Sequence, residues 1–210
     1  MPAPSSVPLG LLGRFHHEVV FGRRARVLSR EVAALVPPGR LVDVGSGSGA
    51  IAAAVAALRP DVTVEGFDVL VRPSPDIPTT RFDGRTLPLG DDSAASVLLV
   101  DVLHHAADPD RLLEESARVA PVVVVKDHVY ETRLDEWILG VMDWVGNRPH
   151  GIVLPYRFFT PASWQALCAR TGLVETSRSR ASGLYPFPFS LLFGRDLHFV
   201  ARLERRTSAA

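Results

Sequence analysis

Between residues 41 and 50 the chain reads LVDVGSGSGA: a branched apolar run meets the carboxylate of Asp43, breaks at Gly45, Gly47 and Gly49, and passes into the alanine-rich stretch 51–58. Glycine permits positive φ and lets a ligand approach without meeting a Cβ. A helix starting behind such a loop aims free N–H groups at that ligand. The same strand–loop–helix serves dinucleotides, and Gly45, Gly47 and Ala50 satisfy the G-x-G-x-x-[GA] pattern. Asp43 favours a different ligand. A carboxylate two places before the first glycine repels a pyrophosphate but complements a molecule carrying an ammonium and a sulfonium.

Further acids and imidazoles follow at the ends of apolar runs. Asp68 closes the run 62–67, where a carboxylate can accept the two hydroxyls of a ribose. Asp83-Gly84 forms a turn after a short extended segment, and Asp101 ends the buried-looking run 96–100 ahead of His104-His105. Lys126-Asp127-His128 comes directly after four valines, with the imidazole beside a carboxylate as an oriented base requires. Open α/β sheets bind ligands at the carboxyl ends of their strands, and Asp43, Asp68, Asp101 and Asp127 all fall there.

The series Val42, Asp43, Val44, Gly45, Ser46, Gly47, Ser48, Gly49 resembles the first motif of the class I S-adenosylmethionine-dependent methyltransferases at every place. Asp83-Gly84 with Leu87-Pro88-Leu89, and the run from Asp101 through His104-His105 to Asp108-Pro109, resemble later motifs of the same family in the same order, over about residues 40 to 125. The resemblance implies S-adenosyl-L-methionine as cofactor and S-adenosyl-L-homocysteine as product. Asp43, Gly45, Ser46, Gly47, Gly49 and Asp101 would hold the methionine part, Asp68 the ribose, and Asp83 with Gly84 the adenine. It also implies a Rossmann-like fold, a single doubly wound, mostly parallel seven-stranded sheet with a C-terminal antiparallel hairpin. The acceptor is expected to be small and apolar or lipid-like. His128, His105 and His150 are the candidate bases, with Asp127, Asn147 and Tyr156 facing the acceptor. His104 reads as a hydrogen-bonded packing histidine. Adjacent side chains diverge, so the rings of His104 and His105 are expected to point apart. Two rival readings stay open: an NAD(P)-binding oxidoreductase, which Asp43 disfavours, and a non-catalytic methyltransferase-like scaffold for a protein partner.

Composition narrows the classes. With 23 basic and 23 acidic residues the 210-residue chain has no net charge, so no basic face for nucleic acid is expected. Cys168 is the single cysteine, which removes an intramolecular disulfide and a thiolate cluster, and no metal site is expected. No run reaches membrane-spanning length and the start lacks the pattern of a secretion signal, so a cytoplasmic protein is expected.

The elements that must carry these residues follow from periodicity and punctuation. Helical spacing over 15–36 stops at Pro37-Pro38-Gly39. Strands are expected at 40–44, 62–67, 79–82, 96–101 and 122–125, with a helix over 51–58 and another capped by Asp108 and ended by Pro121. Pro73, Pro75 and Pro78 forbid the helix that would follow the second strand. A helix over 132–145, opened by a Thr132–Asp135 capping box, carries a stripe of Leu134, Trp137, Ile138, Val141 and Val145, and Trp137 and Trp144 are expected to pack inward. Thr160-Pro161 opens a further helix closed by Gly172, before terminal strands at 173–180 and 197–203. One domain over 1–210 is expected, comprising the N-terminal helix 15–36, a cofactor-binding core 40–128 and a substrate lid 129–160. The aromatics 185–189 would border the acceptor pocket or make a homodimer contact.

Overall fold

The computed structural model describes residues 22–147, 157–187, 190–193 and 195–206. Seven strands form one sheet: β1 (Gly39–Val44), β2 (Val62–Asp68), β3 (Thr79–Arg81), β4 (Ser96–Val100), β5 (Val122–His128), β6 (Leu173–Arg180) and β7 (His198–Arg205). Their spatial order is β3-β2-β1-β4-β5-β7-β6. All pairs are parallel except those of β7 with β5 and β6, which makes the expected mostly parallel sheet with its antiparallel terminal pair. The strand order reverses between β1 and β4, the place where such sheets leave a crevice at their carboxyl ends.

Parity along the strands divides the core. Leu41, Leu98, Val124 and Val200 turn to one face, covered by α1 (Gly22–Leu35) and α2 (Ala50–Leu58). Val42, Val44, Leu99, Val125 and Ala201 turn to the other, covered by α3 (Pro109–Val119) and α5 (Pro161–Arg170), where Trp164 is buried. Helix α4 (Arg133–Asn147) and the short α6 (Ser190–Phe193) meet in a separate cluster of Ile138, Leu139, Leu197 and Phe193. The local punctuation acts as its chemistry dictates. Asp108 accepts the Arg111 N–H at the start of α3, Thr160 and Ser163 form a reciprocal capping box on α5, and Gly172 takes φ +69° beyond it.

Several bounds differ from the sequence expectation. Lys126, Asp127 and His128 are not a turn after β5 but its last three residues, because β7 pairs with them as far as His128 opposite His198. Asp101 lies one residue beyond β4 and takes φ +55°, so its carboxylate turns out of the strand. Of the expected N-terminal helix, 15–21 lie outside the described residues. Helix α4 runs to Asn147, which is helical rather than in a loop, and its buried side is Asp135, Ile138, Leu139 and Asp143. Trp137 and Trp144 are therefore not core residues, being 62% and 46% exposed. Val129 bridges Phe159 and the Tyr130 N–H donates to its carbonyl, so the excursion 129–160 leaves and rejoins the sheet at one point.

The glycine loop is sterically graded. A Cβ on Gly45 (φ +71°) would lie 2.5 Å from Val102 Cγ2, whereas one on Gly47 (φ +58°) would meet nothing nearer than Arg72 Nε at 4.0 Å. Both substitutions carry the left-handed cost of about 1–2 kcal/mol, and only Gly45 adds overpacking of about 1–3 kcal/mol. Urea denaturation should thus find Gly45→Ala less stable than Gly47→Ala by about 1–3 kcal/mol; equal losses would contradict the packing.

Candidate functional site

Two carboxylates meet at the carboxyl ends of β1 and β2. Asp43 pairs with Gly66 across the parallel ladder, and Asp68 lies two residues beyond Gly66, so both acids share the α1/α2 face. Gly66 between them leaves room that Ser46 occupies: a Cβ there would lie 2.7 Å from the Ser46 hydroxyl oxygen. That hydroxyl is buried without a hydrogen-bond partner among the described residues. Asp68 accepts the Gly47 N–H at 2.7 Å on one oxygen and the Leu70 N–H at 2.9 Å on the other, and each oxygen keeps a lone pair. Asp43 is buried, and none of the described residues gives it a hydrogen bond or a salt bridge. Burial, and then the charge of Asp68, push its pKa up to about 7.

At the start of α2, Gly49 has no side chain with which to cap the helix, so the loop leaves N–H groups toward its mouth. Asp83 accepts the Arg85 and Thr86 N–H groups on a single oxygen, both at 2.8 Å, which holds its carboxyl below the usual range and leaves the second oxygen outward. Val69 and Leu70, both exposed, follow Asp68 directly, and a Cβ on Gly84 would touch Val69 at 3.0 Å. Asp43, Ser46, Asp68, Val69, Gly84 and Asp83 thus mark one path along the edge of β1–β2–β3.

A second polar group lies across the crevice, at the tips of β4 and β5. Lys126 is fully buried on the α1 face and forms an ion pair with Asp101, which also pairs with Arg24 of α1. Lys126 Nζ is 3.3 Å from His128 Nε2 and 3.2 Å from His198 Nδ1. Burial, then Lys126, hold both imidazoles well below the ordinary range and so neutral. Asp127 turns to the opposite face, where it meets His104 Nδ1 at 2.7 Å and accepts the His128 N–H at 2.8 Å. Burial opposes the charge on His104, but Asp127 and then Asp143 outweigh it and raise its pKa to about 9. Burial likewise opposes ionisation of Asp127 and Asp143, and the histidines hold both well below the carboxylate range.

The structure brings together Asp101, His105, Asp127 and His128 from the sequence candidates, and Asp43, Gly45, Ser46, Gly47, Gly49, Asp68, Asp83 and Gly84 around the loop. The rings of His104 and His105 do not diverge. They follow β4 in a turn rather than a strand, their centroids are 4.0 Å apart, and both face Asp143. His150 and Tyr156 lie outside the described residues, and only the backbone of Asn147 is described. Sequence reasoning missed Lys126, His198 and Asp143. The Asp135–Asp143 spacing on a helix otherwise rich in apolar residues was the available signal for the last of these.

The sequence matches the methyltransferase domain family over residues 16–177, most of the chain. The chain belongs to that family. Its fold is similar to those of several solved structures, all at distant identity. A methyltransferase in complex with the Trm112 methyltransferase activator of Haloferax volcanii superposes with TM-score 0.64 at 18% identity, covering 92% of this chain and 93% of that one. A SAM-dependent methyltransferase of Thermotoga maritima gives 0.63 at 19%, covering 92% and 94%. The [4+2]-cyclase SpnF gives 0.61 at 17%, covering 88% and 81%, so this fold also appears under another activity's name. A search of curated proteins returns no significant match.

Asp43 gives the site a measurable pH signature. Its folded pKa is raised from 3.8 to about 7, so its contribution to stability is fully present below about pH 4 and is lost as pH rises through about 7. Asp43→Asn should therefore stabilise the ligand-free protein at about pH 8 by up to roughly 4 kcal/mol, with a smaller gain near pH 5, in urea titrations. A destabilised variant at the higher pH would contradict the assignment.

Proposed function

We propose that the protein is an S-adenosylmethionine-dependent methyltransferase acting on a small, apolar or lipid-like acceptor. The observation that carries the reading is the buried carboxylate of Asp43, with no donor among the described residues, beside Asp68 and the open apex of the glycine loop. These residues fit the cofactor. Asp43, in its ionised form, and the free Ser46 hydroxyl suit the charged methionine end; Asp68 has a lone pair left on each oxygen for a ribose hydroxyl. Val69 and Leu70 offer an apolar face to a flat ring, with Asp83 and Gly84 at its rim. When bound, S-adenosylmethionine supplies an electrophilic methyl group on a sulfonium, activated for in-line displacement.

The chain's own part is orientation, exclusion of water and, where the acceptor must lose a proton, a base. His128 is the base we assign, since burial and Lys126 keep it neutral and Asp127 lies 3.4 Å from its Nδ1. His105 is the second candidate. The acceptor class is read from a groove of about 480 Å³ lined by Trp137, Gly140, Val141, Trp144 and Phe158, with Arg133 and Glu136 at its margin. Phe158 joins this groove to the polar group, its ring 5.5 Å from that of His104 and 6.0 Å from that of His128. The exposed tryptophans of α4 thus line the groove instead of filling the core.

Calorimetry with S-adenosylhomocysteine, S-adenosylmethionine and NADH tests the cofactor, and formation of S-adenosylhomocysteine with a panel of apolar alcohols, amines and acids tests the transfer. The first two should bind and NADH should not. Asp68→Ala should weaken S-adenosylhomocysteine by about 100-fold or more, because two hydrogen bonds to a charged group are lost, with circular dichroism unchanged. Unchanged affinity, or binding of NADH alone, would overturn the reading.

A further inference from the structure

Three ligating atoms converge where the turn after β4 meets α4. His105 Nε2 lies 3.3 Å from Asp143 Oδ1, and His104 Nε2 lies 3.8 Å from the same oxygen. All three donor groups fall within 4.8 Å of one another, His104 and Asp143 are buried, and His105 is partly open. Bonds of about 2.1 Å from a shared metal ion would span the 3.3 and 3.8 Å separations to Asp143 at angles of roughly 104° and 130°. The neighbouring trio of His104, Asp127 and His128 has different geometry. The 2.7 Å between His104 Nδ1 and Asp127 is a hydrogen bond, too short for two ligands spread around an ion.

That hydrogen bond supports the first trio. A ligating histidine ordinarily donates its other ring N–H to a carboxylate, which fixes the tautomer and strengthens the ligand. Asp127 does this for His104 from a fully buried position, and so turns Nε2 toward Asp143 and His105. We propose that His104, His105 and Asp143 form a binding site for one divalent transition-metal ion, with Asp127 as the positioning residue behind His104.

The donor set defines the class of ion. Two imidazoles and one carboxylate suit Zn²⁺, Fe²⁺, Co²⁺ or Mn²⁺, whereas Mg²⁺ and Ca²⁺ take oxygen ligands. The ion takes the place of the ring proton on His104 Nε2 and, like that proton, balances Asp127 and Asp143. Three protein ligands would leave positions open, and the ring of Phe158, which lines the apolar groove, lies 5.5 Å from that of His104. Resting on the reading of that groove as the acceptor site, the open positions would take an oxygen or nitrogen of the acceptor next to the methyl donor.

The test uses the tag-free full chain, stripped with chelator and free of methyl donor, so that its outcome is separate from that of cofactor binding. Titration with Co²⁺ followed by visible absorption should show one equivalent bound with a four- or five-coordinate spectrum, and Zn²⁺ should displace it. His105→Ala and Asp143→Asn should each weaken Co²⁺ by about 100-fold or more, with near-ultraviolet circular dichroism unchanged. Asp127→Asn should weaken it by about 10- to 100-fold while keeping the same spectrum. Should Asp143→Asn fail to fold, His105→Ala at the partly open ligand decides. No saturable binding by the wild-type chain, or binding undiminished in His105→Ala, would overturn the proposal.

Discussion

Asp43 and Asp68 are held on one face of neighbouring parallel strands, and burial and mutual repulsion raise Asp43 to about 7. Register enforces this: Asp43 pairs with Gly66, and only a residue without a side chain lets Ser46 and the glycine loop close over the strand ends. A fold that keeps a carboxylate in this position gives up stability in the ligand-free state. A cation or hydrogen-bond donor entering there would offset the cost.

Across the crevice the opposite solution is found. At the tips of β4 and β5 the acids are matched by Lys126, Arg24 and four histidines, and the two faces of the sheet sort them. Lys126 and His198 fall on the α1 face, Asp127 and Asp143 on the α4 side. Removing one member of such a buried set leaves its partner uncompensated, so the group acts as a rigid unit. Its rigidity serves positioning, because imidazoles locked by carboxylates keep their tautomers and directions. Among the described residues no basic group pairs with Asp43, whereas the acids at the tips of β4 and β5 have basic partners.

Much of this was legible in the sequence because it is local. The glycine loop, the capping residues Asp108, Thr132 and Thr160, and the acids ending apolar runs all express short-range rules, and they put Asp43 and Asp68 at the ends of β1 and β2, while the mostly parallel sheet with its antiparallel terminal pair followed from the family resemblance. What failed depends on distant pairing or on helix rotation. The expected strand stopped at 125, before Lys126 to His128, because charged residues seldom continue a buried strand, yet β7 pairs with them and brings His198, 72 residues away from Lys126, to the same place. On α4 the apolar stripe suggested that Trp137 and Trp144 face inward. Asp135 and Asp143 occupy the inner side instead, held by Thr132 and Arg195 at one end and by the two histidines at the other. Polar partners supplied by other elements can reverse an amphipathic pattern, and a single segment does not show them.

At the edge of β1 and β2 the buried carboxylate of Asp43 has no basic partner among the described residues, and a cationic ligand would complete it. Carboxyl-carbon NMR of Asp43 across the acid-to-neutral range, with and without S-adenosylhomocysteine, measures this directly. A pKa of about 7 is expected in the free protein, with a fall of more than about one unit when the ammonium-bearing ligand is bound. An ordinary pKa near 4 in the free protein, or a raised value that the ligand leaves unchanged, would contradict it.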